Sequence, residues 1–195
     1  MGTWRRKVTI ANQLTLFRIF LSFLFMFFIF QGGFLFRLLA LLVFLLAVVT
    51  DLYDGKIARQ RNQVSDFGKL MDPIADKILV LAAFLAFVEL QLVPAWMVIL
   101  IFFRELLITG MRFLALSKGE VLVAGRGGKH KTVTQMVTVI WILLVLLIRE
   151  KTLSIPFLDD SIFWMMFLAV VVTVNSGILY LFRNRTLFRG TRGTV

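Results

Sequence analysis

The sequence predicts an all-α integral membrane protein: six transmembrane helices preceded by a short N-terminal amphipathic helix, with both termini cytoplasmic. Three observations lead there. Mean hydropathy is +0.90 and 59% of residues are hydrophobic, well beyond an ordinary soluble domain. Apolar runs of about 20 residues, the length that crosses a bilayer core, recur along the chain. The cations, finally, gather in the segments that six spans would leave on one side. At 195 residues, with no internal repeat and no low-complexity linker, the chain reads as a single membrane domain over 1–195.

Residues 1–12 read as an interfacial segment, with Trp4 at the lipid–water boundary and Arg5, Arg6 and Lys7 towards phosphate. A signal peptide is not expected, because no small-residue cleavage site follows and Arg18 interrupts the apolar run. A six-helix bundle is expected over 13–182. Its first span, 14–30, ends at "QGG" (31–33), short enough for a tight hairpin into the second, 34–53. The third, 73–90, turns at "ELQLVP" (89–94) into the fourth, 94–116. A longer connection, "SKGEVLVAGRGGKHK" (117–131), leads to the fifth, 133–149, and "REKTLSIPFLDD" (149–160) to the sixth, 158–182. A basic tail, 183–195, closes the chain.

With a cytoplasmic N-terminus, both termini and the loops near 54–72 and 117–131 lie inside. That side then holds all 22 Lys and Arg residues except Arg37, Arg149 and Lys151. The net charge of +11 thus describes a basic cytoplasmic face suited to anionic headgroups and anionic substrates. The pI near 10.9 invites a nucleic-acid partner, but the cations sit at helix ends rather than on a soluble domain, so none is expected. Without cysteine the chain has neither disulfides nor thiolate metal sites.

Of the 11 acidic residues, Asp51, Asp54, Asp66, Asp72 and Asp76 fall within "DLYDGKIARQRNQVSDFGKLMDPIADK" (51–77). Asp51 and Asp54 are three apart and Asp72 and Asp76 four apart, so on helices each pair shares a face. One pair closes the second span and the other opens the third. A connection of about a dozen residues lets those spans run antiparallel with both pairs at one depth. An intramembrane Asp costs about 2.5–3.5 kcal/mol, and four clustered anions repel one another. Mg²⁺ and Mn²⁺ neutralise such a set and leave positions for phosphate oxygens. The plainer alternative is helix caps and solvated charges paired with Lys56, Arg59, Arg61, Lys69 and Lys77. It suits Asp66 and not the two pairs. Gly55, Ala58 and Gly68 let either a ligand or another helix approach closely. Arg59 can neutralise a phosphate or cap its helix.

Asp51, Asp54, Gly55, Ala58, Arg59, Gly68, Asp72 and Asp76 match, position for position, the signature D-x₂-D-G-x₂-A-R-x₈-G-x₃-D-x₃-D. In this the chain resembles the CDP-alcohol phosphotransferase family. The match covers 26 residues, and the six-span layout is similar to the family's across nearly the whole chain. The resemblance implies an enzyme that transfers a substituted phosphate from a CDP-linked donor to an alcohol and releases CMP. It implies two divalent cations, Mg²⁺ or Mn²⁺, one on Asp51, Asp54 and Asp72 and one on Asp51, Asp72 and Asp76. Asp76 is then also the general base, and Gly55, Ala58, Arg59, Ser65 and Gly68 belong to the seat of the cytidine nucleotide. A membrane homodimer is implied too, in a bacterial inner (cell) membrane, with the active site at the cytoplasmic face.

The acceptor is written elsewhere. "FFRELLITGMRF" places Arg104 and Arg112 eight residues apart on the fourth span, and "GGKHKT" supplies Lys129 and Lys131 beside Gly127 and Gly128. A fringe of cytoplasmic cations accounts for Lys118 and Arg126. It suits Arg104 poorly, because that residue lies midway along an apolar run and Glu105 can pair with only part of the charge. The expectation is a pocket for a second phosphate, with Arg giving bidentate contacts and Lys point charges. An acceptor bearing its own phosphate favours glycerol 3-phosphate or an inositol phosphate over serine, choline or ethanolamine.

The flanks "NQLTLFR", "RELLITGMR" and "GGKHKTVTQM" look most like the family's glycerol 3-phosphate branch, whose donor is CDP-diacylglycerol. By that likeness Asn12 and Thr15 help hold the CDP group, and Arg104, Arg112, Lys129 and Lys131 hold the acceptor's phosphate. Ala11 stands where many members carry proline, which alters the helix start more than the chemistry. One rival keeps the chemistry with another acceptor, such as inositol phosphate. A rival of another class, a divalent-cation transporter, predicts acids spread through the bilayer depth, whereas these gather at one end. His130, the only histidine, is expected to be solvated, and the chain has too few nitrogen or sulfur ligands for zinc. The 21 phenylalanines serve as lipid-facing and packing surface. Asn175 and Ser176 are expected to hydrogen-bond between helices.

Overall fold

The computed structural model describes residues 10–61, 66–117, 127–151 and 156–184, with side chains over 16–50, 77–115, 130–151 and 157–184. Six helices follow one another: α1 (Ile10–Gln31), α2 (Phe34–Arg61), α3 (Asp66–Glu89), α4 (Ala95–Ser117), α5 (Gly127–Lys151) and α6 (Pro156–Arg183). Among the described residues there is no strand. Each apolar run falls within one helix, to within a residue at its ends.

The helices are longer than the runs. α2 continues to Arg61 and α3 begins at Asp66, so the connection expected near 54–72 between the second and third spans shrinks to 62–65. Both aspartate pairs therefore lie inside helices rather than at loop edges. The physical reason is that polarity ends a hydrophobic run without ending a helix: Lys, Arg, Gln and Ala are good helix formers. Likewise α5 begins at Gly127, drawing Lys129 and Lys131 into a helix where a loop was expected. Residues 10–12 of the expected interfacial segment open α1, while 1–9 and the tail beyond 184 lie outside the described residues.

Two turns show how the sequence ends its helices. Gly32 and Gly33 have φ of 69° and 81°, a region open to glycine and costly to residues with a Cβ. At the end of α3, Leu92 N–H donates to Phe87 C=O and Gln91 N–H to Val88 C=O, both at 2.9 Å. This 6→1 and 5→2 pattern is a Schellman cap. Its left-handed position is filled by Gln91, at φ 57°. Pro94 then bars continuation, and α4 starts one residue later.

The chain divides into two compact units. The first comprises 1–86 and 143–153 and the second 87–142 and 154–195. In the first, α1 and α2 pack as an antiparallel hairpin around Phe25 and Phe44, both fully buried, with ring centroids 5.9 Å apart. The last turns of α5 join the start of α2. Arg37 donates to Leu146 C=O at 3.0 Å and pairs with Glu150 at 3.0 Å, and Lys151 Nζ lies 4.3 Å from the centre of the Phe34 ring. In the second unit α6 packs on α4 and is bonded to α5. Gln135 Nε2 donates to Thr173 Oγ1 and Trp141 Nε1 to Ser161 Oγ, each at 2.9 Å, and Thr138 Oγ1 donates to Met165 C=O at 3.3 Å.

Large apolar side chains also face outward: Phe23, Phe103, Phe157, Trp164 and Phe182 are all exposed. Contiguous apolar outer faces of this kind are those of a membrane protein. Among the described residues, His130–Lys151 and Phe157–Arg183 are long and apolar enough to cross a bilayer. α4 carries Arg104, Glu105 and Arg112 within its span.

Gln91→Gly should raise the thermal midpoint of the detergent-solubilised protein, because it relieves about 1 kcal/mol of left-handed strain. Gln91→Val, β-branched, should lower it.

Candidate functional site

Asp51, Asp54, Gly55, Ala58 and Arg59 follow one another on uninterrupted α2, and Gly68, Asp72 and Asp76 on α3. The two aspartates of each pair stand one turn apart. Gly55 inside a helix costs about 1 kcal/mol relative to alanine, so helix propensity does not account for it. Pro73, directly after Asp72, has no N–H to give to the Lys69 carbonyl four residues back, so the helical ladder lacks one bond in the turn that leads into Asp72. The side chains of 51–76 and of Asn12 and Thr15 lie outside those described, and so does Ser65 altogether. The donor set itself is four carboxylates on two successive helices, hard oxygen ligands of the kind that Mg²⁺ and Mn²⁺ take.

The second unit carries the cations. Arg104, near the middle of α4, donates from Nη1 to Glu105 Oε1 at 3.0 Å and from Nη2 to Ser176 Oγ of α6 at 3.1 Å. Lys131 of α5 donates to the same Glu105 oxygen. The side chains of Arg104, Glu105 and Lys131 are only 10%, 12% and 12% exposed. Among the described residues two cations thus share one carboxylate in a desolvated place. Arg104 Nε is buried and has no hydrogen-bond partner among the described residues. Such a donor has room for one further acceptor. At Gly177 a Cβ would come within 2.9 Å of Arg104 Cγ, so the absent side chain makes room for the arginine stem.

The structure therefore brings together Arg104 and Lys131, with Glu105 between them. Arg112, two turns along α4, is exposed and makes no ion pair among the described residues. Lys129 lies in the first turn of α5, which has no acidic residue there, so the unbonded N–H groups of that turn add to an anion-favouring end. Its side chain lies outside those described. Glu105 as the bridge, Ser176 as the anchor and Gly177 as the space-maker were not assigned to the site from sequence. Ser176 does bond between helices, as expected. The signal that remained was two small residues side by side in an otherwise apolar span. His130 is exposed, in keeping with a solvated side chain.

Comparison with known proteins bears on both units. The profile of one family, described as CDP-alcohol phosphatidyltransferase, matches residues 8–175. The CDP-diacylglycerol–glycerol-3-phosphate 3-phosphatidyltransferase of Bacillus subtilis is 44% identical over 143 residues, 73% of this chain and 72% of that one. A Rickettsia typhi protein of the same name is 37% identical over 183 residues, 92% and 98% of the two chains. A probable phosphatidylglycerophosphate synthase of Mycobacterium tuberculosis is 34% identical over 193 residues, 97% and 88%.

Gly177→Ala should cost about 1–3 kcal/mol through overpacking against the Arg104 stem. In the double variant with Arg104→Ala that cost should largely vanish, so thermal unfolding of the two single variants and the double should be clearly non-additive.

Proposed function

This chain belongs to the CDP-alcohol phosphatidyltransferase family, and from that premise we propose that it makes phosphatidylglycerophosphate. It transfers the phosphatidyl group of CDP-diacylglycerol to glycerol 3-phosphate and releases CMP. One observation carries the choice of acceptor: Arg104 and Lys131, two cations held by one carboxylate, Glu105, in a largely buried cluster. An acceptor that bears its own phosphate gives these two cations an anion to bind, which a neutral alcohol does not.

Asp51, Asp54 and Asp72 would hold one divalent cation and Asp51, Asp72 and Asp76 a second. Bound Mg²⁺ or Mn²⁺ supplies Lewis-acid stabilisation to charge on the reacting phosphorus and the departing CMP. Asp76 takes the proton from the acceptor's primary hydroxyl as its oxygen attacks the phosphatidyl phosphorus, and the bond from that phosphorus to the CMP oxygen breaks. Arg104, Arg112, Lys129 and Lys131 bind the acceptor's phosphate. Glu105 fixes Arg104 and Lys131 in advance, which spares their ordering cost at binding. Asn12, Thr15, Gly55, Ala58, Arg59, Ser65 and Gly68 form the seat of the CDP moiety.

We read the chain as six-spanning and homodimeric in a bacterial inner membrane, with both termini and the chemistry at the cytoplasmic face. The asymmetry of the cations supports that orientation. The donor's acyl chains then stay in lipid while the charged groups react at the interface.

Labelled CDP-diacylglycerol offered to the purified protein with a panel of alcohols should release CMP with glycerol 3-phosphate. Turnover with inositol phosphate and none with glycerol 3-phosphate would overturn the choice. Asp76→Asn should abolish CMP release in a protein that still inserts and folds, as judged by its thermal transition. Arg104→Gln should raise KM for glycerol 3-phosphate about tenfold or more, the worth of a charged hydrogen bond, and leave KM for the lipid donor nearly unchanged.

A further inference from the structure

Arg18 is 3% exposed, among the most buried charged groups of the described residues, and neither the donor seat nor the acceptor cluster uses it. Its place follows from the α1–α2 hairpin. The buried stripe of α1 runs back from Ile29 through Phe25 and Ser22 to Arg18. That of α2 runs forward through Ala40, Phe44 and Ala47, and the same spacing of four and three reaches position 51 next. Phe25 and Phe44 meet across the hairpin. Arg18 stands seven residues before Phe25 and Asp51 seven after Phe44, two turns along each antiparallel helix. Positions 18 and 51 are therefore level with each other.

A buried guanidinium calls for a carboxylate nearby. The acids of this unit are Asp51, Asp54, Asp66, Asp72, Asp76 and Glu150. Glu150 is paired with Arg37, at the far end of α2, about 21 Å along the axis from position 51. What is left is the aspartate set itself.

We propose that Arg18 is the resident counter-cation of that set. As a positioning residue it balances the carboxylate charge at the level of Asp51 and competes with the divalent cation for it. This rests on the reading of the aspartates as metal ligands. Removing the competing charge makes metal binding tighter. By linkage, it costs more stability in the metal-free protein than in the loaded one.

The test is Mn²⁺ binding to the full chain in dodecyl maltoside, followed by the EPR signal of free Mn²⁺, with thermal unfolding in EDTA and in saturating Mn²⁺. Arg18→Gln should bind Mn²⁺ about three- to tenfold more tightly than the unaltered protein, as expected for one like charge removed nearby. Its midpoint should fall in EDTA, and the gap should narrow with Mn²⁺. Arg18→Lys, which keeps the charge, should stay within about twofold of the unaltered affinity. If Arg18→Gln does not fold, Arg18→Met, which keeps the stem volume, carries the same expectation. Equal or weaker binding by the neutral variants, or an equal loss of midpoint in both conditions, overturns the proposal. An unaltered protein that binds no Mn²⁺ overturns the aspartate reading and the role of Arg18 together, whereas normal binding with an indifferent Arg18→Gln overturns Arg18 alone.

Discussion

Glu105 accepts hydrogen bonds from Arg104 at 3.0 Å and from Lys131, and all three side chains are nearly buried. A lone ion in such a place costs several kcal/mol, so charge inside an apolar helical bundle has to be answered close by. The same constraint recurs in the other unit, where Arg37 meets Glu150 and the Leu146 carbonyl. It also bears on the aspartates of α2 and α3, which outnumber any one partner. The polar chemistry of the described residues is therefore grouped into a few clusters. Around them are faces of Phe, Leu, Ile and Val that ask for nothing but lipid or packing.

This grouping accords with the two substrates. The donor is a lipid that reaches the protein within the bilayer, and the acceptor is a small dianion that arrives from water. Phenylalanines on the outer faces suit the first. Two cations on one carboxylate, with an Arg104 N–H that has no partner among the described residues, suit the second. The proposed site residues, Ser65 apart, stand on helices.

Much of this was legible in the sequence, and the rest was hidden for identifiable reasons. Hydropathy located all six helices, because bilayer thickness sets a length that composition reveals. It misplaced the end of α2 and the start of α3 because it measures affinity for lipid rather than propensity for helix. The Schellman cap at Gln91 was invisible, since glycine is its usual sign. The aspartate spacing could be read locally because its members are three and four residues apart. Arg104 announced itself as a charge in an apolar run, but Lys131 and Ser176 lie 26 and 72 residues from the α4 groups they meet. No local pattern joins residues so far apart; only the packing of α4, α5 and α6 does.

The clasp between Arg37 and the end of α5 joins residues 109 apart in the chain. A ribosome that has inserted α1, α2 and α3 has thus made most of one unit and not yet its closing piece. Until Leu146 and Glu150 emerge, Arg37 has neither the carbonyl nor the carboxylate it will hold. The first helices to enter the membrane wait on nearly the last, and a chain broken off before α5 is complete carries an unanswered arginine.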